Sequence, residues 1–337
     1  MALLSLDRLQ RRPVRAGGPL AIGLVNNMPD AALKTTERQF RELLAAAAGG
    51  MPFALRIFSF PELPRSVEGW RYVAEHHEPI ANLWESALDG LIVTGAAPVA
   101  PAIEEEPCWP TLTRLVEWAE RRTNSTIWSC LAAHAAVRRI DGIERRPLVS
   151  KLSGVFECAR AGDHPLLAFS PARWTTPHSR YNALPEATLR ARGYSILSRS
   201  RDAGADVFVK RCGSLFVFLQ GHPEYDSGAL GREYRRDVVQ FLAGKSETYP
   251  EVPANYFPAE VAAAMAAFRE VALRDPDAAL FERFPALPAM RAPWHDAAVN
   301  LYASWLAQLG ARRSRRLGWA RLKLPVAAAG APTPTYA

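Results

Sequence analysis

Short β-rich runs alternate with amphipathic segments along most of the chain, and this alternation constrains the fold more than any other feature. Leu20–Val25 is a continuous apolar run, which is typical of a strand covered by helices on both faces of its sheet. Ser125–Ser129 and residues 88–94 are further β-rich runs. Between them, residues 34–47 and 109–120 repeat apolar side chains at helical spacing. The pattern predicts an α/β fold with an open, mostly parallel sheet flanked by helices.

The rest of the chain extends this pattern and suggests one main domain. We predict further strands over residues 53–60, 195–198, 206–210 and 215–219, and further helices over residues 131–139 and 227–241. The later strands, around Gly213, are expected to form a meander or hairpin. The simplest partition is a domain over residues 18–310 with a helical C-terminal extension from about 255. A flexible basic segment, 1–17, is expected before it and a basic, disordered tail, 311–337, after it.

The net charge of +7 is concentrated at the two ends of the chain. Residues 1–17 carry a net +3 and residues 311–337 a net +6, which leaves −2 for the rest. Because a nucleic-acid-binding domain needs a basic surface on its body, binding to nucleic acid is not expected. An arginine-rich end that runs into a Pro/Ala segment is more typical of a solvated terminus.

The sequence contains no evident membrane span, targeting signal or metal motif. No run approaches the roughly 20 apolar residues of a spanning helix, and the first residues lack the apolar stretch of a secretory signal. The four cysteines, at positions 108, 130, 158 and 212, are far apart and form no C-x-x-C pair. Neither a disulfide framework nor a zinc site is therefore predicted. We expect a cytoplasmic protein with reduced thiols.

Cys130 stands where a predicted strand ends and a predicted helix begins. Such a turn exposes the side chain, and the helix N-terminus favours a thiolate through its dipole and free N–H groups. The small residues Ala132 and Ala133 let the helix approach the strand closely, and backbone N–H groups at the turn can form an oxyanion hole. Taken alone, a cysteine in an apolar segment is more often a small buried hydrophobic residue.

His222 and Glu224 supply the partners that a cysteine nucleophile needs. A thiol requires a base to take its proton, and the base requires a third group to orient it. His222 follows the predicted strand 215–219, and strand ends of a parallel sheet meet at one edge, so it is expected close to Cys130. In isolation His222 would be interpreted as a structural histidine and Glu224 as a solvated loop acid. Their combination with Cys130 favours a catalytic triad.

Seven stretches together resemble the homoserine O-succinyltransferase family, which has the class I glutamine amidotransferase-like, flavodoxin-like fold. They are NMP (27–29), TERQF (36–40), LDGLIVTGA (88–96), KLSGVFE (151–157), PHSRY (177–181), GHPEYD (221–226) and NYFP (255–258). They occur in the family's order over about residues 20–309. The combination is far more specific than any single stretch.

The resemblance implies acyl transfer in two half-reactions. The acyl group of acyl-CoA passes to Cys130, and the resulting thioester is attacked by the hydroxyl of homoserine or a related small amino acid. His222 would be the base in both steps and Glu224 would orient it. Acyl-CoA and a small hydroxy amino acid are then the expected partners, no tightly held cofactor is expected, and a homodimer is a further expectation.

The resemblance also implies a set of substrate-binding residues. Glu233 and Arg236 match the positions that hold the ammonium and carboxylate of the amino acid, and their spacing places them on one helix face. A helix-surface ion pair is the plain alternative for these two residues. Lys151 matches a residue near the acyl site, and Ser179, within PHSRY, completes the expected set.

Three positions depart from the family pattern. Lys34 is the nearest candidate for a lysine beside the oxyanion, but the segment from Asp30 to Lys34 is longer than in the family. Val99 falls at a position where family members that transfer succinyl groups carry Gly and those that transfer acetyl groups carry Glu. A valine there favours neither acyl donor. His134 replaces the usual Gln after the nucleophile and introduces a titratable group.

Two other functions remain open on the sequence. One is glutamine amide hydrolysis, as in amidotransferases of this fold, although the customary Gly-x-Cys-x-Gly turn is missing around Cys130. The other is a binding or regulatory role on an inherited scaffold, in which Cys130 would be no more prone to alkylation than Cys158 or Cys212.

Overall fold

The computed structural model describes residues 18–96 and 98–322, which alternate strands and helices as predicted. The first half contains β1 (Leu20–Val25), α1 (Asp30–Ala48), β2 (Phe53–Phe58), α2 (Val67–His76), α3 (Ile80–Trp84), β3 (Gly90–Val93), α4 (Trp109–Arg122), β4 (Ser125–Ser129), α5 (Leu131–Asp141) and β5 (Arg146–Arg160). The second half contains β6 (Arg173–Ala183), α6 (Glu186–Ala191), β7 (Ser195–Ile196), β8 (Ser198–Ser200), β9 (Gly204–Ala205), β10 (Val207–Cys212), β11 (Ser214–Leu219), α7 (Ala229–Leu242), α8 (Ala259–Arg274) and α9 (His295–Leu322).

A seven-stranded sheet in the order β2-β1-β3-β4-β11-β10-β7 forms the centre of the protein. The first five strands in this order are parallel. β10 pairs with β11 in the predicted hairpin around Gly213, whose φ of +70° suits the tight turn. The predicted open, mostly parallel sheet flanked by helices is therefore confirmed.

Side chains alternate between two apolar layers on the faces of this sheet. On β11, Phe216 and Phe218 pack in the layer that contains α4 and α5, whereas Val217 and Leu219 pack in the layer that contains α1 and α9. All four side chains are buried. Helices on both faces explain why the central strands are continuous apolar runs.

A second sheet, antiparallel and in the order β6-β5-β8-β9, was not predicted. Its long strands pair over most of their length, with Gly154 opposite His178 and Ser153 opposite Ser179. β6 buries polar side chains, namely Thr176, His178 and Arg180. Because the buried row is polar, the segment lacks the hydrophobic alternation by which strands are recognised in sequences.

The C-terminal extension is helical, as predicted, but it ends later than residue 310. α9 continues to Leu322, so the prediction of a disordered tail from residue 311 is wrong for residues 311–322. Arg313 is buried and donates to Pro19 O at 2.6 Å and Asp89 Oδ2 at 3.1 Å, which anchors this part of the helix to the main sheet. Segments 1–17 and 323–337 lie outside the described residues, as do the predictions made for them.

α9 is the longest helix, yet its sequence is not that of a membrane span. Among the described helices, none combines the length and the apolar composition that crossing a bilayer requires.

Candidate active site

Cys130 occupies a strained turn between β4 and α5. Its φ of 50° and ψ of −115° lie in a region that non-glycine residues rarely adopt, at a cost of about 1–3 kcal/mol. The backbone N–H of Cys130 donates to Leu219 O at 2.8 Å, which ties the turn to the end of β11. The residue is partly exposed. A sharp strand-to-helix turn of this kind presents a nucleophile at the edge of an α/β sheet.

His222 lies three residues beyond the end of β11, at the same edge. Its Nδ1 is 2.9 Å from Glu224 Oε1, and its backbone N–H donates to Pro177 O of β6 at 2.8 Å. Both side chains are buried. Since the carboxylate can only accept, Nδ1 is assigned as the protonated nitrogen, which leaves Nε2 as the reactive one.

The charges of its neighbours determine the protonation of His222. Burial alone would lower the pKa of this imidazole, but the charges of Cys130 and Glu224, together with hydrogen bonds to both, raise the pKa well above its ordinary value. The structure therefore brings Cys130, His222 and Glu224 together in the order predicted. A raised pKa makes the imidazole a stronger base, which suits it to take a proton from the neighbouring Cys130 thiol.

Glu233, on α7, is at the centre of a polar cluster beside His222. Tyr225 Oη donates to its Oε1 at 2.5 Å, and Ser179 Oγ donates to its Oε2. Lys151 Nζ lies 3.5 Å from the same Oε2. Burial would raise the pKa of Glu233, but Lys151 and the two hydroxyl donors lower the pKa overall. Three residues predicted from the resemblance, Lys151, Ser179 and Glu233, thus meet in one cluster.

Arg236 extends this cluster towards solvent. Its Nε and Nη2 donate to Asp237 Oδ1 at 2.9 and 2.8 Å, and Lys151 donates to the other oxygen of Asp237 at 2.7 Å. The Arg236 side chain is about half exposed, so it can turn to a ligand without leaving a buried gap. An anionic Glu233 and a cationic Arg236 one helical turn apart match the two charges of an α-amino acid.

Lys34 and Val99 are the two remaining predicted residues. Lys34 is on the exposed side of α1, with its ammonium 4.7 Å from the ring centroid of Tyr72. Val99 is exposed in the loop after β3, where its backbone N–H donates to the buried carboxylate of Glu106 at 3.0 Å.

His134 does not act as a titratable group near neutral pH. Its Nε2 donates to Gln220 Oε1 at 3.1 Å, because that oxygen also accepts from Leu184 N–H and the Gln220 amide group donates to Ala205 O. Burial, followed by the positive charge of Arg180, lowers the pKa of His134 to about 3. The neutral imidazole thus remains a hydrogen-bond donor, as the amide of a glutamine would be.

Among the described residues, one group has three donor atoms close enough for a metal ion: Cys158, His178 and Asp206, all buried and within 4.8 Å of one another. Ser198 Oγ already donates to Asp206 at 3.0 Å, and burial raises the pKa of Cys158 far above its ordinary value. A thiol that stays protonated is a poor ligand. We interpret the group as buried polar support for the loop that carries His222. A Cβ added to Gly221, the residue before His222, would lie 2.8 Å from Asp206 Oδ1, so Asp206 packs closely against this loop.

Two residues near the triad were not assigned a role from the sequence. The ring of Tyr225 stacks on His222, and Arg180 is buried on β6, where its Nε donates to His178 Nδ1 at 3.5 Å. Both belong to stretches that resemble the family, GHPEYD and PHSRY, but neither residue type is a usual triad member. In the sequence, the only indication of a role for Tyr225 or Arg180 is that they lie within these two stretches.

Comparison with known proteins places the chain in a family. Residues 7–314 match the model of the family described as homoserine O-succinyltransferase. A protein named homoserine O-succinyltransferase from Methylorubrum extorquens is 46% identical over 296 residues, which cover 87% of this chain and 88% of the relative. One of the same name from Rhodopseudomonas palustris is 45% identical over 314 residues, covering 92% and 94%. A third, from Bradyrhizobium japonicum, is 46% identical over 312 residues, covering 90% and 93%.

Solved structures are more distantly similar. A glutamine amido transferase from Methylobacillus flagellatus aligns with 86% of this chain and 94% of its own, with 17% identity and a TM-score of 0.48. A glutamine amidotransferase from Thermotoga maritima aligns with 86% and 97%, with 14% identity and a TM-score of 0.47. The match of the family model and the identity to full-length relatives decide the assignment: the chain belongs to the homoserine O-succinyltransferase family, a family of acyltransferase enzymes.

Proposed function

We propose that this protein transfers the succinyl group of succinyl-CoA to the side-chain hydroxyl of homoserine, through a thioester on Cys130. The observation that carries the proposal is the contact of the Cys130 thiol with His222, whose other nitrogen is 2.9 Å from Glu224. The choice of donor and acceptor follows the names of the relatives. The sequence at Val99 favours no donor.

The first half-reaction forms the thioester. The Cys130 sulfur attacks the acyl carbonyl carbon, the negative charge moves to the carbonyl oxygen, and the carbon–sulfur bond to CoA breaks. The leaving CoA sulfur takes the proton that His222 Nε2 received from the thiol. Leu131 N–H, at the first turn of α5, is the proposed oxyanion donor. A Cβ on Gly95 would lie 3.2 Å from this nitrogen, so glycine leaves the approach open.

The second half-reaction transfers the acyl group to the amino acid. His222 takes the proton of the homoserine hydroxyl, whose oxygen attacks the thioester carbonyl, and Cys130 leaves as a thiolate. Glu233 and Arg236 would hold the ammonium and carboxylate of homoserine. Because Tyr225 contacts both His222 and Glu233, the bound amino acid would be positioned relative to the base.

Intact-mass spectrometry tests the proposal. Incubation with succinyl-CoA alone should add one succinyl group, located on Cys130 by peptide mapping, and homoserine should remove it and yield O-succinylhomoserine. Cys130→Ala should acquire no adduct. Cys212→Ala is the matched control, because Cys212 is also partly accessible but lies at the far end of β10, and it should be labelled like the wild type.

Two results would contradict the proposal. The first is an absence of any adduct on folded wild-type protein at saturating succinyl-CoA. The second is release of ammonia from glutamine at a rate that Cys130→Ala abolishes, which would assign the same triad to amide hydrolysis. Acetyl-CoA, run in parallel, tests the donor: faster labelling by acetyl-CoA would reject the succinyl assignment but retain the thioester.

A further inference from the structure

A cleft of about 370 Å³ is lined by residues from the loops after β1, β2 and β3 and from α4 and α5. Its walls are mostly apolar and include Phe60, Leu112 and Ala135. Leu131 also lines the cleft, and the backbone N–H of this residue is the proposed oxyanion donor. The volume is in the range of small-molecule sites, about 300–1,000 Å³. The cleft therefore begins where the acyl carbonyl is expected, and the rest of an acyl chain can extend into it.

Asn27, in the loop after β1, is a polar residue in the wall of this cleft. Only 5% of the residue is exposed. Its backbone N–H donates to Thr94 Oγ1 at 2.8 Å, and its side-chain Oδ1 accepts from Phe60 N–H at 3.2 Å. Because a backbone N–H can only donate, the amide atom that faces Phe60 is assigned as the oxygen. This hydrogen bond fixes the orientation of the amide and leaves its Nδ2 for another contact.

The Nδ2 group of Asn27 is a donor without an acceptor. It makes no hydrogen bond to any other residue within 18–96 and 98–322. The neighbouring hydroxyl of Thr94 does not satisfy it, because this hydroxyl accepts from the backbone N–H of Asn27 and donates to Gly95 O at 2.9 Å. Leaving a buried donor unpaired is costly. The amide therefore needs an acceptor, and a ligand in the cleft can supply one.

Two other polar residues of the cleft are less suited to bind an oxygen of a ligand. Glu106 is a buried carboxylate whose Oε1 accepts from Val99 N–H at 3.0 Å and from Ala100 N–H at 3.2 Å. It holds the loop after β3 as a wall of the cleft and disfavours a second negative charge beside it. Burial raises the pKa of the Cys108 thiol to about 11, so this group stays protonated and is only a weak donor. An oxygen at the far end of an acyl chain is thus expected beside the amide of Asn27.

We propose that Asn27 is a specificity-determining residue, which donates from Nδ2 to the distal carboxylate of a succinyl group bound in this cleft. The inference rests on the proposed function, because it takes the carbonyl of the same group to lie at Leu131 N–H. The ligand class is a short dicarboxylic acyl chain. A butyryl chain has the same number of carbons but no distal acceptor, so it leaves Nδ2 unpaired. A site built to hydrogen-bond one group of a substrate discriminates against the analogue that lacks this group.

Calorimetric titration of acyl-CoA into the Cys130→Ala protein tests the inference without requiring thioester chemistry. Succinyl-CoA and butyryl-CoA are compared, and this parent protein should bind succinyl-CoA more tightly. Adding Asn27→Leu should weaken the binding of succinyl-CoA about tenfold and leave that of butyryl-CoA within about twofold, because only succinyl loses a charge-assisted hydrogen bond. Asn82→Leu, which replaces an exposed amide of α3, is the matched control and should leave both affinities unchanged.

Asn27→Asp keeps the inference testable if the leucine variant does not fold. Aspartate retains an oxygen for Phe60 N–H but offers a carboxylate in place of the amide donor. At about pH 8, where this carboxylate is ionised, succinyl-CoA should bind at least about tenfold more weakly and butyryl-CoA about as in the parent. A parent protein or a folded Asn27 variant that contradicts these preferences would overturn the inference. So would equal weakening of both ligands, which indicates a purely structural role for Asn27. Loss of the succinyl preference in the variants, combined with no thioester on the wild-type protein, would instead reject the proposed function alone.

Discussion

The ring of Tyr225 lies against the imidazole of His222, with centroids 4.3 Å apart and an interplanar angle of 18°. The hydroxyl of the same tyrosine donates to Glu233 at 2.5 Å. One side chain therefore connects the proposed base to the proposed ammonium site. This connection explains how binding of the amino acid and activation of its hydroxyl can depend on each other.

Replacing Tyr225 by phenylalanine should weaken acceptor binding more than acylation. The variant keeps the stacked ring but removes one donor from buried Glu233, so KM for homoserine should rise about 3- to 10-fold. Stopped-flow release of CoA should show a nearly unchanged first half-reaction. Tyr194→Phe, which loses a hydroxyl bonded to Asp141 at 2.6 Å, is the matched control and should leave KM unaltered. Equal losses in both half-reactions would argue against the selective role.

Glu233→Gln should separate recognition of the amino acid from formation of the thioester. Glutamine keeps the size of the side chain but removes the charge that would pair with an ammonium, so KM for homoserine should increase at least about tenfold. The amplitude of Cys130 labelling by succinyl-CoA should be retained. Glu157→Gln, on β5 and exposed beside Arg173, serves as the control. An unchanged KM in Glu233→Gln would leave this residue as a structural ion-pair partner of Lys151.

His134 should make the protein less stable in mild acid. Its pKa is about 3 in the folded state and about 6.5 when unfolded, so the unfolded chain binds the extra proton between these values. The contribution of neutral His134 to the free energy of unfolding is fully present above pH 6.5. It decreases as pH falls, by about 2–3 kcal/mol at pH 4.5. His134→Gln should reduce the loss of unfolding free energy between pH 7 and 4.5 by that amount, as measured with urea. His295→Gln, at an exposed position, should leave the loss as in the wild type.

Gly221→Ala should disturb the loop that carries His222. The new Cβ would lie 2.5 Å from Thr176 Cγ2 and 3.0 Å from His178 Nε2, and both neighbours are buried. Moving the backbone to relieve these contacts should cost about 1–3 kcal/mol and slow thioester formation. Thermal denaturation and labelling kinetics measure the two effects. Gly310→Ala is the control, since its Cβ would meet nothing closer than 3.9 Å and a helix favours alanine. Wild-type kinetics in Gly221→Ala would show that the loop tolerates the shift.

The sequence was sufficient to predict the central sheet and to propose Cys130, His222 and Glu224 as a triad, because both depend on local patterns. β1 and β4 coincide with the predicted strands, Cys130 follows β4 directly, and His222 lies three residues beyond the end of β11. Strand ends of a parallel sheet share an edge, so the meeting of these two residues could be inferred from position alone. The same reasoning does not extend to Lys34, because a position on a helix does not determine which way a long side chain points; in the structure its ammonium is 4.7 Å from the centroid of the Tyr72 ring.

The second sheet and its buried charges depended on tertiary structure. Thr176, His178 and Arg180 look like an ordinary polar stretch in the sequence, and only the crossing of β6 beneath the His222 loop buries them. The end of the domain was misplaced for a similar reason. In the sequence, Arg313 is typical of a solvated tail, and only the structure shows its hydrogen bonds to Pro19 O and Asp89.

By itself, then, the sequence determined the strands and helices of the central sheet, a candidate triad of Cys130, His222 and Glu224, and the family, because apolar periodicity and residues at strand ends are local features. Only the folded structure decided which polar residues are enclosed and that His134 stays neutral. These properties arise from desolvation and from charges brought together across many residues of chain, and neither is encoded in any single segment.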